Sequence, residues 1–432
     1  MGVGIVITRV YIVKNIDCRK KRESKMVSAL LTIIIALTLS YILGEISKKI
    51  GLPRIVGSLV TGILLTIGYV KQVVLIPENQ DFLSLLADLG VILLFYYIGL
   101  EAKFEAFGKN VKRSVMISLF NSLIPFAMGF FVCHYLFGFD LVTTLVVSVA
   151  LSVSSQAVAI DILDELNFLK SKIANMILFT VAVDDIIEMV LITGMLSFLH
   201  IAITKMTLSR LCIEVLIFVG IMLLIRFWIL PWVLKFFEKE KSSTGRFTIS
   251  LIVVLIIASL AEYFSVGYLI GALIAGIITK QTIYKDPKIA NWKEHDVARS
   301  IHIIAFGFLI PLFFVWVGSN IDLSMVGEHV GFILIFTLIA TVGTVLGTAL
   351  AVYLTSGTFH EGLILGWGLN AKGDLELVIA SLSLKASLIE PYIFSGIVMM
   401  SLLTTIISPI VFAHMIKRKM GVEPKVVVKR KA

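Results

Sequence analysis

Charged side chains are scarce in this sequence. Asp, Glu, Lys and Arg together make up 16% of the 432 residues, against about 25% in ordinary soluble domains. Hydrophobic residues make up 58% and the mean hydropathy is +0.99. These values exclude an ordinary soluble domain and indicate an all-α protein that crosses the membrane many times.

Cysteine is scarce as well, and nucleotide-binding motifs are absent from the sequence. Cys18, Cys133 and Cys212 have no paired spacing and no nearby His or Cys cluster, so neither a disulfide framework nor a zinc site is indicated. The sequence contains no Gly-x-x-x-x-Gly-Lys-Ser/Thr loop, so nothing indicates nucleotide hydrolysis. The net charge of +9 is typical of the cytoplasmic loops of a membrane protein and gives no support to nucleic-acid binding.

Hydropathy predicts about thirteen spans, each close to the ~20 apolar residues that cross ~30 Å of hydrocarbon. They lie near 27–46, 54–70, 83–100, 114–136, 140–160, 173–198, 210–232, 247–262, 266–279, 301–318, 329–354, 361–383 and 391–415. Lys and Arg concentrate in the loops after odd-numbered spans and in the C-terminal tail. The other loops hold only Lys71, Lys205, Arg210 and Lys385. The positive-inside rule therefore predicts a cytoplasmic C-terminus and a first span that starts outside.

The N-terminal residues do not fit this orientation, because residues 1–25 carry a dense cluster of Lys and Arg. We therefore predict a basic N-terminal extension over residues 1–26, with Met26 as the start of translation, so that residues 1–25 are not translated. The alternative is an amphipathic segment on a membrane surface. Residues 27–416 form the predicted transmembrane domain. Residues 417–432 form a basic cytoplasmic tail that is expected to contact anionic lipid headgroups.

Two adjacent carboxylates, Asp184 and Asp185, lie in the middle of an apolar run long enough to cross a bilayer. An ionised Asp at mid-membrane costs roughly 2.5–3.5 kcal/mol on insertion scales, and neighbouring carboxylates repel each other. At least one of them is therefore expected to bind a proton or a cation. This chemistry is typical of a transporter. The alternative, a paired Asp in a soluble core, does not fit the composition.

An internal repeat relates the two halves of the chain, about 53–200 and 266–416. Residues 56–62 (VGSLVTG) match residues 270–276 (IGALIAG), and 95–99 (FYYIG) match 314–318 (FVWVG) at nearly the same offset. An odd number of crossings separates the matching spans, so the halves are predicted to be inverted relative to each other. This is the architecture of many secondary transporters.

Each half also contains one polar patch inside a span. The patches are residues 152–156 (SVSSQ) in span 5 and 370–374 (NAKGD) in span 12. Inverted-repeat transporters commonly break one helix in each half near mid-membrane. The freed carbonyl and hydroxyl oxygens can bind a small cation. The alternatives are serines that bond back to their own helix and, for span 12, a helix end in the membrane interface.

Several of these residues, taken in order, resemble a known family. The stretches 151–166 (LSVSSQAVAIDILDEL), 183–185 (VDD), 311–318 (PLFFVWVG) and 372–374 (KGD) resemble those of the monovalent cation/proton antiporters, in the branch with an Asp-Asp pair. The resemblance covers nearly the whole chain after Met26.

The resemblance implies roles for particular residues. Asp185 is expected to be alternately protonated and loaded with the cation, with Asp184 as its helper and as a second transient Na⁺ ligand. Ser154 and Ser155 match the polar pair of the first broken helix. Supporting positions in and near the broken helices are Gln156, Lys372, Asp374 and Thr344.

One position departs from the family pattern. Many electrogenic members have a Lys in span 11 that pairs with the first Asp, but here the matching segment 342–347 reads VGTVLG. Thr344 cannot carry that charge, so Asp184 must be protonated, paired elsewhere (for example with Lys372), or a true second ligand. This departure favours an electroneutral cycle.

The resemblance implies a secondary transporter, not an enzyme, that exchanges Na⁺ or Li⁺ for protons across the cell membrane by alternating access. It implies a homodimer, and no cofactor besides the transported ions. The main alternative is a K⁺/H⁺ antiporter of the potassium-efflux type. A cation channel and an intramembrane aspartyl protease with Asp185 and Asp374 as its dyad are further alternatives. The protease usually has Gly-x-Gly-Asp, and the first Gly is missing here.

Overall fold

The computed structural model describes residues 29–101, 111–154, 208–229, 243–264, 266–283 and 296–419, together with scattered residues between 159 and 195. Over these residues the secondary structure is helical, without β-strands. We number the helices of the continuous ranges in chain order: α1 (Ala29–Lys49), α2 (Arg54–Leu65), α3 (Gly68–Val74), α4 (Pro77–Glu101), α5 (Val111–Phe131), α6 (Leu141–Ser152), α7 (Leu208–Leu224), α8 (Ser243–Tyr263), α9 (Tyr268–Ile283), α10 (Asp296–Ile304), α11 (Ile310–Ser319), α12 (Leu323–Glu328), α13 (Val330–Leu354), α14 (Phe359–Leu369), α15 (Leu375–Lys385) and α16 (Pro391–Lys419).

Six helical stretches of the described part are long and apolar enough to cross a membrane. They are Ala29–Lys49, Pro77–Glu101, Lys112–Leu136, Ala298–Ser319, Val330–Leu354 and Pro391–Lys419. Two of them continue through π-helical turns, at Val132–Leu136 and Ala305–Leu309. Shorter apolar helices, among them α2 and α6, accompany them. The prediction of an all-helical protein with several membrane spans is confirmed.

Two of the predicted spans are interrupted inside their apolar stretch. In span 5, α6 ends at Ser152, Val153 is extended (φ −72°, ψ 144°), and the described Ala159 is helical again. In span 12, α14 ends at Leu369 and α15 begins only at Leu375. Both interruptions fall on the predicted polar patches, residues 152–156 and 370–374.

The repeat motifs contact each other across the two halves of the chain. A Cβ atom at Gly62 of α2 would lie 2.2 Å from the carbonyl oxygen of Val315 in α11. One at Gly276 of α9 would lie 2.2 Å from the carbonyl oxygen of Tyr96 in α4. Only glycine allows backbones to approach this closely. The first motif of each half therefore contacts the second motif of the other half.

A second group of helices surrounds the interrupted spans. Helix α13 packs against α5, α14 and α16, and α6 packs against α5 and α15. Gly343 of α13 permits close contact with α5, because a Cβ atom there would lie 2.6 Å from the Cα of Pro125. This group brings the ends of α6, α14 and α15 close to the helical residues that include Asp184.

Candidate functional site

Asp184 is fully buried and helical, and its carboxylate accepts hydrogen bonds from three side chains. Ser118 and Asn121 of α5 donate to it, the amide nitrogen of Asn121 at 3.0 Å. The hydroxyl of Ser154 donates from 3.2 Å. Because a carboxylate in apolar surroundings is costly without partners, these donors stabilise it where it is.

Ser154 is held at the end of the first interrupted helix. Since Val153 is extended, the backbone N–H of Ser154 is released from the helix and donates to Glu188 Oε1 at 2.8 Å. The Ser154 hydroxyl lies 3.1 Å from the same oxygen. A hydroxyl has a single proton, so Ser154 can donate to Asp184 or to Glu188 at any moment. It connects the two carboxylates.

Lys372 comes from the second interruption and is fully buried. Its ammonium donates to the hydroxyl of Thr344 in α13 at 3.4 Å, and its backbone carbonyl accepts from Thr405 of α16. Its electrostatic partners are Glu376, Glu188 and Asp184. The side chain of Lys372 therefore occupies the place beside Thr344.

The neighbours of Lys372 in the second interruption differ in burial and contacts. Asp374 is partly buried, at the position directly before α15. Asn370 is fully buried and its amide nitrogen donates to Ser408 at 2.9 Å. Glu376, in the first turn of α15, is buried and accepts from Ser401 at 2.6 Å. The interruption therefore lies in the protein interior.

The structure thus brings together four of the residues singled out from the sequence: Asp184, Ser154, Lys372 and Thr344. Ser152, by contrast, bonds back to the carbonyl of Val149 at 2.8 Å, as transmembrane serines commonly do. Three other predicted site residues lie outside the described residues: Asp185, Ser155 and Gln156.

Sequence reasoning missed several residues of this cluster. Ser118 and Asn121 are single polar residues in the apolar helix α5, and Glu376 follows the Lys-Gly-Asp string by two residues. A weak signal existed for the first two, because a spacing of three places them on one face of a helix. Their proximity to Asp184 depends on how α5 packs, which no local pattern reveals.

The cluster presents oxygen donors of the kind that bind a proton or a hard cation. Carboxylates, hydroxyls and amide oxygens lie in a buried region with one ammonium to balance part of the negative charge. An ion that enters such a region loses its water, so the protein oxygens must replace the hydration shell.

Comparison with known proteins places the chain in context. A family model described as "Sodium/hydrogen exchanger, transmembrane" matches residues 31–418. A Na(+)/H(+) antiporter of Enterococcus hirae is 29% identical over 400 residues, or 91% of this chain and 99% of that protein. The Na(+)/H(+)-K(+) antiporter GerN of Bacillus cereus is 27% identical over 385 residues, or 88% and 94% of the two chains. The sodium proton antiporter MjNhaP1 of Methanocaldococcus jannaschii shares the fold, with a TM-score of 0.60 at 16% identity, over 91% of this chain and 98% of that one.

Proposed function

We propose that this chain, which belongs to the sodium/hydrogen exchanger family, is a secondary transporter. It exchanges Na⁺ for H⁺ across the cell membrane. The observation that carries the proposal is the buried carboxylate of Asp184, held by Ser118, Asn121 and Ser154 at an interrupted helix. A buried carboxylate inside a membrane protein is costly, and such groups are found mainly where an ion or a proton binds.

The mechanism needs only competition for one site. A proton and a dehydrated Na⁺ bind the same carboxylates, so that loading one releases the other. We assign Asp185 as the alternately loaded group, Asp184 as its helper, and the hydroxyls of Ser154 and Ser155 as further ligands. The site then opens to one side of the membrane at a time.

Inverted repeats would supply this alternating access. The reciprocal glycine contacts support them, because Gly62 approaches α11 as Gly276 approaches α4. A two-fold relation between the halves produces such a pair of equivalent contacts. We further propose thirteen spans, a cytoplasmic C-terminus and a homodimer, in keeping with the positive-inside distribution of the sequence and with the family resemblance.

Potassium is the second candidate cargo. It is favoured by the 27% identity to GerN, whose name includes K⁺.

The position of Lys372 beside Thr344 leaves a positive charge in the site, as in the electrogenic members that have a Lys in span 11. Voltage dependence therefore has to be measured together with ion preference.

The test is proton movement driven by Na⁺, Li⁺ or K⁺ in proteoliposomes, with and without valinomycin to clamp the voltage. We expect a Na⁺ and Li⁺ response in the wild type that is lost in Asp185→Asn. Asp81→Asn, the same change at an exposed position in the first turns of α4, is the matched control and should retain the response. Exchange that survives in Asp185→Asn would contradict the site assignment, and a response to K⁺ alone would establish the second candidate.

A further inference from the structure

The second interruption has hydrogen-bonding partners of its own on α16. Three hydroxyls of that helix bond to residues between the end of α14 and the first turn of α15. The pairs are Ser401 with the carboxylate of Glu376 (2.6 Å), Thr405 with the backbone carbonyl of Lys372, and Ser408 with the amide nitrogen of Asn370 (2.9 Å). Spacings of four and three place the hydroxyls on one face of α16. A polar face of α16 therefore lies along the interruption.

A polar face of α13 joins this region to the carboxylate of Asp184. Thr344 accepts from the Lys372 ammonium at 3.4 Å. The hydroxyl of Thr348, one turn further along α13, donates to the amide oxygen of Asn121 at 3.4 Å. The amide nitrogen of Asn121 donates in turn to Asp184 at 3.0 Å. Both interruptions therefore belong to one buried polar network, in which a charge at one end acts on a charge at the other.

Glu376 is a carboxyl group of this network that is hydrogen-bonded on one side only. Its side chain lies in the interior, with 1% of the residue exposed. Oε1 accepts from Ser401, whereas Oε2 is buried with no hydrogen-bond partner among the residues that the structure describes. None of the ion pairs between described residues joins Glu376 to a cation. Because a buried carboxyl with a purely structural role normally has its polar atoms bonded, Oε2 is the atom at which a proton can bind.

Two opposing influences act on the charge of Glu376. Its place in the first turn of α15 favours the ionised carboxylate, since the N-terminus of a helix carries partial positive charge. The apolar interior of a membrane protein favours the neutral acid instead. With Oε2 unbonded, neither form is fixed by a complete set of hydrogen bonds. Both forms of Glu376 are therefore accessible.

The charged neighbours of Glu376 are few. Helix α15 packs mainly against α6 and α16 among the described helices. Helix α6 contains no titratable residue, and α16 has none between Tyr392 and His414. On its own side of the network Glu376 has Lys372 and Asp374, both from the interruption that precedes it. Titration at this place is therefore dominated by Glu376 and by the charge state of the Asp184 end.

We propose that Glu376 binds a proton that Na⁺ expels from a distance, as a second proton-binding carboxyl in addition to those of the Asp184 cluster. Na⁺ at Asp184 and a proton on Glu376 would add two positive charges to one buried network, and these charges repel each other. When Na⁺ binds, Oε2 keeps the electron pair of its O–H bond and the proton passes to solvent water. The inference rests on the proposed function, because it assumes that Na⁺ binds at the Asp184 cluster.

The experiment counts the protons that must leave when Na⁺ binds to the full chain. Na⁺ affinity is measured by calorimetry between about pH 5 and pH 8. At the acid end, each proton that must leave weakens the affinity about tenfold for each pH unit. We expect about a hundredfold loss per unit in the wild type and about tenfold in Glu376→Gln, whose amide has the shape of the neutral acid. Glu390→Gln, the same change at an exposed position just before α16, should keep the wild-type slope.

A second variant decides the question if Glu376→Gln does not yield a folded protein. Ser401→Ala removes the hydrogen bond that favours the ionised carboxylate of Glu376. The proton should then bind about tenfold more tightly, and the Na⁺ affinity at the acid end should fall by the same factor. Ser383→Ala is the matched control, since this buried serine of α15 bonds to the carbonyl of Ile379 in its own helix. It should leave the Na⁺ affinity unchanged.

Three results would overturn the inference. One is a wild-type slope in Glu376→Gln, which would make Glu376 a permanently neutral structural group. Another is loss of Na⁺ binding at every pH in that variant, because the cation itself would then need the carboxylate. The third is an unchanged acid-end affinity in Ser401→Ala. Failure of the proposed function is distinct from all three, since then the wild type itself shows no Na⁺ binding that weakens as the pH falls.

Discussion

The glycine contacts between the two halves give a prediction whose magnitude follows from the structure. A Cβ atom at Gly62 would lie 2.2 Å from the carbonyl oxygen of Val315, against 3.4 Å or more for ordinary contact. The obstacle is backbone, so α2 and α11 must separate by more than 1 Å. Inserting one methyl group into a packed core costs about 1–3 kcal/mol, of which the helix propensity of Ala offsets at most about 1 kcal/mol.

Gly62→Ala should therefore destabilise the folded protein by about 1–2 kcal/mol. Gly276→Ala meets the carbonyl oxygen of Tyr96 at the same 2.2 Å, so its loss should be similar. Gly220→Ala in α7 is the control, because no atom outside its own helix backbone, among the residues that the structure describes, lies within 4 Å of its Cβ position. That variant should gain stability from helix propensity or remain unchanged.

The assay is thermal unfolding of purified protein in one detergent, read by intrinsic fluorescence and by loss of the monodisperse peak in size exclusion. We expect Gly62→Ala and Gly276→Ala to lower the Tm by similar amounts, and Gly220→Ala not to lower it. If Gly62→Ala unfolded at the same temperature as Gly220→Ala, α2 and α11 would not be in backbone contact. Strongly unequal losses at Gly62 and Gly276 would contradict the two-fold relation between the halves.

Two further predictions concern single polar side chains. Asn121→Ala removes hydrogen bonds to Asp184 (3.0 Å) and Ser154 (3.2 Å). It should lower kcat/KM for Na⁺ exchange by at least about tenfold, since a lost bond to a charged group costs about 1.5–3 kcal/mol and every 1.36 kcal/mol is a factor of ten. Unchanged kinetics would remove Asn121 from the site. Asp322 caps α12, and hydrogen bonds from the Ser324 side chain and backbone lower its pKa. Its stabilising contribution is therefore complete above the ordinary Asp pKa near 4 and is lost as pH falls further. The Tm deficit of Asp322→Ala should be present at pH 6 and shrink towards pH 3, and a constant deficit would contradict a charge-dependent cap.

Local sequence signals were sufficient for the fold class and for the positions of the interruptions. A long run of apolar residues predicts a membrane-spanning helix, because few other backbone structures are stable inside a bilayer. The string 370–374 predicts a break in such a helix, because Lys and Asp interrupt its apolar sequence. The same reasoning could not distinguish Ser152, which bonds to its own helix, from Ser154, which reaches Asp184. That difference depends on where the helix ends.

Long-range proximity was beyond local signals. Nothing near Asn121 indicates that α5 lies against the Asp184 helix, and nothing near Thr344 indicates that Lys372 reaches it from the next span. From the sequence, Lys372 was predicted as a supporting residue of the second broken helix and as one possible partner of Asp184, but not as a neighbour of Thr344. Such contacts arise from the packing of helices that are distant in the chain, so they require the fold.

The most direct test of the central claim, competition between Na⁺ and a proton for the buried carboxylates, is proton release on Na⁺ binding. Calorimetry of the purified protein, titrated with NaCl in two buffers of different ionisation enthalpy, counts the protons released for each Na⁺ bound. We expect at least one proton to be released in the wild type and none in Asp185→Asn. Na⁺ binding with no proton release in the wild type would contradict it.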